Sequence, residues 1–327
     1  MAASRADPRR SRQRPVGLGT VAGSLCRPGG DAVVTITVII NPVSGRRGHR
    51  DGARRKAALA IARLTARGAD VRVAITEGPG HAHVLAREAV SAGAGLVAAW
   101  GGDGTMNEVA SALAGTSVVL GLVPGGSGNG LARDLGIPLR AEQALEVLVD
   151  GRDRDLDGGI LDGHLFFNVA GLGLDARVAR AFQASGGRGI LSYVVKTARA
   201  LLDGRGTACV IEADGRSVAA DALLVALANS RQYGSGLLIA PSARVDDGVI
   251  DVVVVPRMPL VRLLRYLPRV LAGAIEAVPG VSVVKVAHAT IQGTSPLAYH
   301  VDGEPHEGGM RLSLSVRPHA VRVRVPA

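Results

Sequence analysis

Three short stretches of the chain set glycines among small amide and hydroxyl residues directly after apolar runs. They are Asn41-Pro42-Val43-Ser44-Gly45, Gly101-Gly102-Asp103-Gly104-Thr105 and Gly125-Gly126-Ser127-Gly128-Asn129-Gly130. A glycine projects only hydrogen, so backbone N–H groups and the start of a following helix can face an anion at close range, which makes a phosphate seat. The carboxylate of Asp103 cannot itself favour a phosphate. It is expected to hold a metal ion between itself and the phosphates or to draw on a hydroxyl proton, and both belong to phosphoryl transfer. One such loop could be an ordinary tight turn; three in sequence on one sheet edge favour phosphate binding. No GxxxxGK[ST] occurs, which excludes a P-loop enzyme. Gly125 to Gly130 superficially fits a dinucleotide fingerprint, but the loop closes the fourth strand rather than the first, and the next strand lacks a ribose-binding acid. Near the chain end, Asp302-Gly303-Glu304 offers two carboxylates beside a glycine. A base at a strand end could approach a substrate hydroxyl there, and a plain hairpin turn has the same residues.

Strands and helices must position these loops. Apolar runs at 32–40, 70–76, 95–100 and 117–124 read as strands, and helices are expected at 53–68, 80–93 and 105–115. This alternation predicts right-handed βαβ crossovers and a parallel sheet covered on both faces, with ligands at the carboxyl ends of its strands. After about residue 150 the pattern changes. Short strands flank Asp162-Gly163 and Asp214-Gly215, a hairpin signal. Further strands are expected at 248–255, 281–291, 296–304, 310–316 and 320–325, with helices at about 174–203 and 259–274. The second half is therefore mainly antiparallel. The expected division is a disordered basic tail over 1–31, an α/β nucleotide-binding domain over 32–150 and a second domain over 151–307.

Composition narrows the function classes. Hydrophobic residues make up 47% of the 327 residues but aromatics only 2%, so the core is built from Val, Leu, Ile and Ala. The net charge is +10, about half of it from six arginines in residues 1–30. A nucleic-acid binder would interleave basic residues with stacking aromatics, and no such face occurs, so no nucleic-acid partner is expected. A basic surface suits phosphorylated ligands or an anionic membrane. Cys26 and Cys209 show no metal spacing, which points to a reducing compartment. The apolar runs are of strand length, short of the roughly 20 residues of a membrane helix.

Arg46, Arg47, Arg50, Arg54, Arg55 and Lys56 crowd the first loop and helix. They read as a solvated face, one or two of whose members could steer a phosphate. In Met258–Gly273, Arg262, Arg265 and Arg269 fall on one side, and Leu260, Leu264, Leu267 and Leu271 on another. Such a helix packs on a core or lies on a membrane surface. His81, His83, His300 and His306 read as surface or loop residues.

In order along residues 36–305, NPVSG, GGDGTMNEV, VPGGSGNGLARDLGIP, NVAGLGLDA, NSRQYGSGLLIAPSARVDDGVIDVVVV and VDGE resemble the successive signatures of the diacylglycerol kinase catalytic-domain family. That family includes bacterial lipid kinases, sphingosine kinases and ceramide kinase. GGDGT alone is shared with NAD kinases; the whole series is specific. The resemblance implies an N-terminal parallel-sheet α/β domain like that of phosphofructokinase or NAD kinase, then an antiparallel β-sandwich. The active site would lie in the cleft between them, and the chain end, about 308–327, would return to the first domain. It implies that ATP is held by Asn41, Pro42, Val43, Ser44, Gly45 and Thr76, by Gly102, Asp103, Gly104, Thr105, Met106, Asn107 and Glu108, and by Ser127, Gly128 and Asn129. Glu304 or Asp302 would be the base, with Asp103 also in the catalytic set. Asp247, with the carbonyls of Arg244 and Val249, would hold Mg²⁺. Many bacterial diacylglycerol kinases read Leu-Gly-Thr-Gly-Asn where this chain has Gly-Gly-Ser-Gly-Asn, a form closer to sphingosine kinases.

The leading expectation is an ATP- and Mg²⁺-dependent kinase of a lipid hydroxyl, with diacylglycerol as first acceptor and a sphingoid base or another lipid alcohol as alternative. An NAD kinase and a non-catalytic nucleotide- or lipid-binding regulator are the other readings. The expected partner is lipid at a membrane surface, met peripherally from the cytoplasm at the membrane's inner face, and a homodimer stays open.

Overall fold

The computed structural model describes residues 34–45, 50–174, 176, 206–234 and 236–327. The tail expected over 1–31, Arg46 and Arg47, and most of the helix expected at about 174–203 lie outside those residues. The first half alternates β1 (Thr35–Ile40), α1 (Arg50–Thr65), β2 (Asp70–Ile75), α2 (His81–Ser91), β3 (Leu96–Gly101), α3 (Asp103–Leu113) and β4 (Val119–Pro124). These strands form a parallel sheet in the order β4-β3-β1-β2. β3 and β4 are buried along their whole length, as continuous apolar runs require in a sheet covered on both faces. β2 is the edge strand, and Asp70 on it is exposed. Two further helices, α4 (Gly130–Asp134) and α5 (Ala141–Asp150), follow β4.

The second half is antiparallel. β5 (Arg152–Leu161) and β6 (His164–Phe166) close on Asp162-Gly163, and β7 (Val169–Gly173) follows. β8 (Thr207–Ala213) and β9 (Arg216–Ala228) close on Asp214-Gly215. Both aspartates sit at positive φ, 49° and 50°, a conformation these short polar side chains tolerate and two-residue hairpins need. Then come β10 (Gln232–Gly234), β11 (Leu237–Leu238), β12 (Ile250–Pro256) and α6 (Leu260–Leu271). The chain ends with β13 (Ser282–Val286), β14 (His288–Gly293), β15 (Ala298–Val301), β16 (Glu304–Glu307) and β17 (Arg311–Val325).

Two expectations need correction. The single strand expected over 281–291 is two, because β13 pairs with β12 while β14 pairs with β8 and β17. Conversely, the strands expected at 310–316 and 320–325 are one. β17 bends between Arg317 and Val321 at a register shift, where His319 adopts φ 48° and donates its backbone N–H to Asp157 Oδ1 at 2.8 Å. The bend lets one strand serve two neighbourhoods. Its start pairs with β14, its length with β5, and Val323 with Leu120 of β4 in parallel. One apolar core lies between the parallel sheet and its helices, and two others flank the antiparallel strands. Among the described residues no helix is long and apolar enough to cross a membrane.

Candidate active site

The carboxyl ends of β1, β3 and β4 bring the three glycine-rich loops into contact. Gly125 donates its N–H to the carbonyl of Gly101 at 2.7 Å. A Cβ on Gly126 would lie 2.6 Å from Gly102 Cα, so the two backbones touch at a distance that no side chain permits. Asn41 joins the first loop to the second, donating its N–H to the Trp100 carbonyl at 3.0 Å and its amide to Thr105 Oγ1 at 2.9 Å. Ser44 Oγ donates to the Asn41 carbonyl at 2.8 Å and rounds off the turn. Asn129, at φ 50°, braces the third loop: its Oδ1 accepts from Gly126 N–H at 2.9 Å and its amide donates to the Gly126 carbonyl at 2.8 Å. Pro42 and Val43 form the turn before Ser44, while Gly45, Gly104 and Ser127 are exposed at the loop tips. Thr76, buried, follows β2 with its N–H on the Ile40 carbonyl at 2.9 Å, beside the same edge.

Asp103 has a task that the sequence reading did not foresee. Its carboxylate accepts the backbone N–H groups of Asn129 at 2.9 Å and Gly130 at 2.7 Å. It thereby staples the second glycine-rich loop to the third. Burial pushes its carboxyl above the ordinary range, the Gly130 and Asn129 donors pull it back, and the nearby charge of Asp302 pushes it up again. Met106 packs into the core rather than facing the loops, and Gly128 lies against Asp103, where a Cβ would come 2.6 Å from its Oδ2. Glu108 also faces elsewhere: its two oxygens accept the N–H groups of Gly80 and Ala82, at 3.0 and 2.9 Å, and cap the start of α2.

Asp302 and Glu304 differ sharply. Asp302, at φ 46° in the tight turn between β15 and β16, accepts the Asn107 amide at 2.8 Å and the backbone N–H groups of Phe167, Asn168 and Val169, each at 3.0 Å. Burial pushes its carboxyl up and these donors pull it down, with a net rise. Every one of those bonds ties the hairpin to α3 or to the start of β7. Glu304, first residue of β16, is exposed, and its carboxylate has no hydrogen bond or ion pair among the described residues.

One residue was misjudged from sequence, and one member of the basic cluster is singled out by the structure. His300, expected at the surface or in a loop, is buried in β15; its Nδ1 accepts Gly303 N–H at 3.2 Å and its Nε2 meets Tyr233 Oη at 3.2 Å. It braces the same turn. Lys56, grouped with a solvated face, instead reaches the first loop: its Nζ donates to Ser44 Oγ at 3.0 Å and to the carbonyls of Ser44 and Asn41 at 3.1 and 3.4 Å. It also lies 5.8 Å from the centre of the Trp100 ring. Burial holds its pKa below that of a free lysine. A signal was available, since Ala53, Ala57, Ala60 and Leu64 mark the inward face of α1 and Lys56 adjoins it.

The cation shell implied at Asp247 does not fit this structure. Asp247 Oδ2 already receives the ammonium of Lys285 at 3.2 Å, which also donates to Asp251 Oδ2 at 3.0 Å and to the Ser242 carbonyl at 3.4 Å. Burial lowers the Lys285 pKa, but the hydrogen bonds and charges of Asp251 and Asp247 outweigh it and hold it above the ordinary value. The Arg244 guanidinium lies 3.5 Å from Asp246 and Val249 is half-buried beside the turn, neither of which bears on the backbone carbonyls that the shell would use. A divalent ion on Asp247 would sit against a lysine. Among the described residues no group of three or more His, Cys, Asp or Glu could hold a metal.

Comparison with known proteins places this arrangement. Residues 35–160 match the family described as Diacylglycerol kinase catalytic domain, and residues 168–325 match the YegS C-terminal NAD kinase beta sandwich-like domain. The chain is 36% identical over 304 residues to a protein of Mycobacterium tuberculosis (strain ATCC 25618 / H37Rv) named Diacylglycerol kinase, covering 89% of this chain and 95% of that one. Its fold is similar to the crystal structure of a diacylglycerol kinase from Bacillus anthracis str. Sterne, with a TM-score of 0.73 at 22% identity over 89% of this chain and 96% of that one.

Proposed function

The chain belongs to the diacylglycerol kinase family and is a kinase that transfers phosphate to a lipid alcohol; from that premise we propose that it moves the γ-phosphate of ATP to the free hydroxyl of diacylglycerol, giving phosphatidic acid. The observation that carries this reading is the division of labour between two carboxylates two positions apart. Asp302 is fully engaged in holding the turn, and Glu304 on the same turn is free.

The exposed loop tips at Gly45, Gly104 and Ser127, held together by the touching backbones of Gly102 and Gly126, seat the triphosphate. The Lys56 ammonium, tied to that loop, adds positive charge behind it. Glu304 takes the proton of the acceptor hydroxyl as its oxygen bonds to the γ-phosphorus. The bond from that phosphorus to the β–γ bridging oxygen breaks, and ADP leaves with the electron pair. Mg²⁺ arriving with the nucleotide would supply charge neutralisation; no step passes through Asp247. The protein works in the cytoplasm at the inner face of the membrane, where ATP and the lipid meet.

The test is transfer of labelled γ-phosphate from ATP into mixed micelles holding diacylglycerol, monoacylglycerol, sphingosine or ceramide separately. Label in diacylglycerol above the other acceptors is expected. Label confined to sphingosine would replace the acceptor, and label in none would overturn the proposal.

A further inference from the structure

We propose that α6 is the surface on which the protein docks to an anionic phospholipid bilayer. This helix contains no buried residue, although five of its twelve positions are Leu or Val outside the inward flank. Leu263 and Val270 rest against neighbouring apolar clusters. The rest of the apolar sector faces outward: Val261 is 80% exposed, Leu264 56% and Leu271 67%. A helix that packs on its own core hides its apolar stripe. This one shows it to solvent.

The neighbouring sector identifies the occupant. Arg262, Arg265 and Arg269 follow one another at helical spacing, and the helix carries no acidic residue. Among the described residues none of the three is ion-paired; Arg269 lies over the ring of Tyr266, 5.1 Å from its centre. An apolar ridge flanked by unpaired arginines matches the boundary between acyl chains and anionic headgroups, which accepts both at once. A second copy fits poorly, because a two-fold contact sets the same patch against itself and would bring arginine to arginine.

The helix is also well placed. It packs on β11. β11 pairs with β10, where Tyr233 meets His300 at the Asp302 turn and the backbone of Gly234 lies against that of Gly128 in the third glycine-rich loop. A bilayer under α6 therefore brings lipid beside the candidate site. Only the identity of the acceptor rests on the lipid-kinase reading; the docking stands on the helix itself.

The experiment is co-sedimentation of the full chain with vesicles of phosphatidylcholine alone and of phosphatidylcholine mixed with phosphatidylglycerol. Wild type is compared with a triple Arg262→Gln, Arg265→Gln, Arg269→Gln variant and with Leu264→Asp. All four positions are exposed, and an unchanged thermal midpoint confirms that the variants fold. The account predicts preferential binding to anionic vesicles, weakened by salt, and about 10²-fold weaker in the triple variant, from a loss of roughly fivefold per arginine. Leu264→Asp weakens binding as well. Phosphorylation of a short-chain, water-soluble diacylglycerol stays unchanged in both variants, while transfer in anionic vesicles falls. Equal vesicle binding by wild type and variants, or equal binding to neutral and anionic vesicles, would overturn the docking. Failure of wild type to use the short-chain acceptor would overturn the catalytic reading and leave the docking to the vesicle result.

Discussion

The side-chain amide of Asn107 donates to Asp302 Oδ2 across 2.8 Å, linking residues 195 positions apart. Asn107 lies on the helix that opens from the second glycine-rich loop, and Asp302 lies in the turn that presents Glu304. Through this bond the phosphate-facing loops and the candidate base are held in one frame.

Replacing Asp302 by Asn should therefore cost stability. Four N–H donors converge on its carboxylate, and an amide would turn its own N–H₂ toward some of them. A loss of about 3 kcal/mol is expected, a fall in thermal midpoint of about 4 °C. Calorimetry on the variant checks this, and an unmoved midpoint would remove Asp302 from the role of anchor.

Gly126→Ala should separate the second and third loops, since the added methyl would lie 2.6 Å from Gly102 Cα. ATP binding, followed by titration calorimetry, is expected to weaken at least about tenfold with helix and strand content unchanged by circular dichroism. Full affinity in this variant would mean that the nucleotide does not depend on the close approach of those backbones.

Lys56→Met should raise KM for ATP by about tenfold and leave kcat within about twofold, because the lysine acts on the Asn41–Ser44 turn and not on the acceptor. Burial lowers the pKa of Lys56, so in wild type the ammonium is lost at a lower pH than from a free lysine. ATP affinity should fall with rising pH in the alkaline range, and the Met variant should lack that fall.

Lys285 makes a prediction about metal and pH together. Its pKa is raised in the folded protein by Asp251 and Asp247. The stability it contributes is thus fully present below the unfolded value of about 10.4 and is lost as pH rises through the higher folded value. Because the side chain is well exposed, solvent screening leaves roughly 1 kcal/mol. Lys285→Met should lose about that much near neutral pH and show a shallower alkaline decline. A chelator should leave the wild-type thermal midpoint unchanged, since an ammonium already balances Asp247; a drop on chelation would show that a metal holds this turn after all.

The loops were legible because each announces itself locally, as an apolar run that stops at glycines. The antiparallel half was legible in part, through the Asp-Gly pairs that close its hairpins. What stayed hidden are bonds between residues far apart in the chain. The staple from Asp103 to Gly130 spans 27 positions, and the Lys285–Asp247 pair spans 38. A carboxylate that accepts backbone N–H groups has the same one-letter code as one that holds a metal, so the brace that Asp103 forms could not be read beside the chemistry it suggests. The continuity of β17 was hidden by Pro318 and His319, at whose bend Asp157 takes the His319 N–H.

Glu304→Gln puts the assigned base to the proof, measured for γ-phosphate transfer from ATP to diacylglycerol with ATP binding and thermal midpoint followed in the same preparation. The account predicts transfer reduced by at least about 10²-fold, with nucleotide affinity and midpoint as in wild type, because the Glu304 carboxylate holds no other group in place. Transfer at the wild-type rate would contradict it, for the proton of the acceptor would then go somewhere other than Glu304.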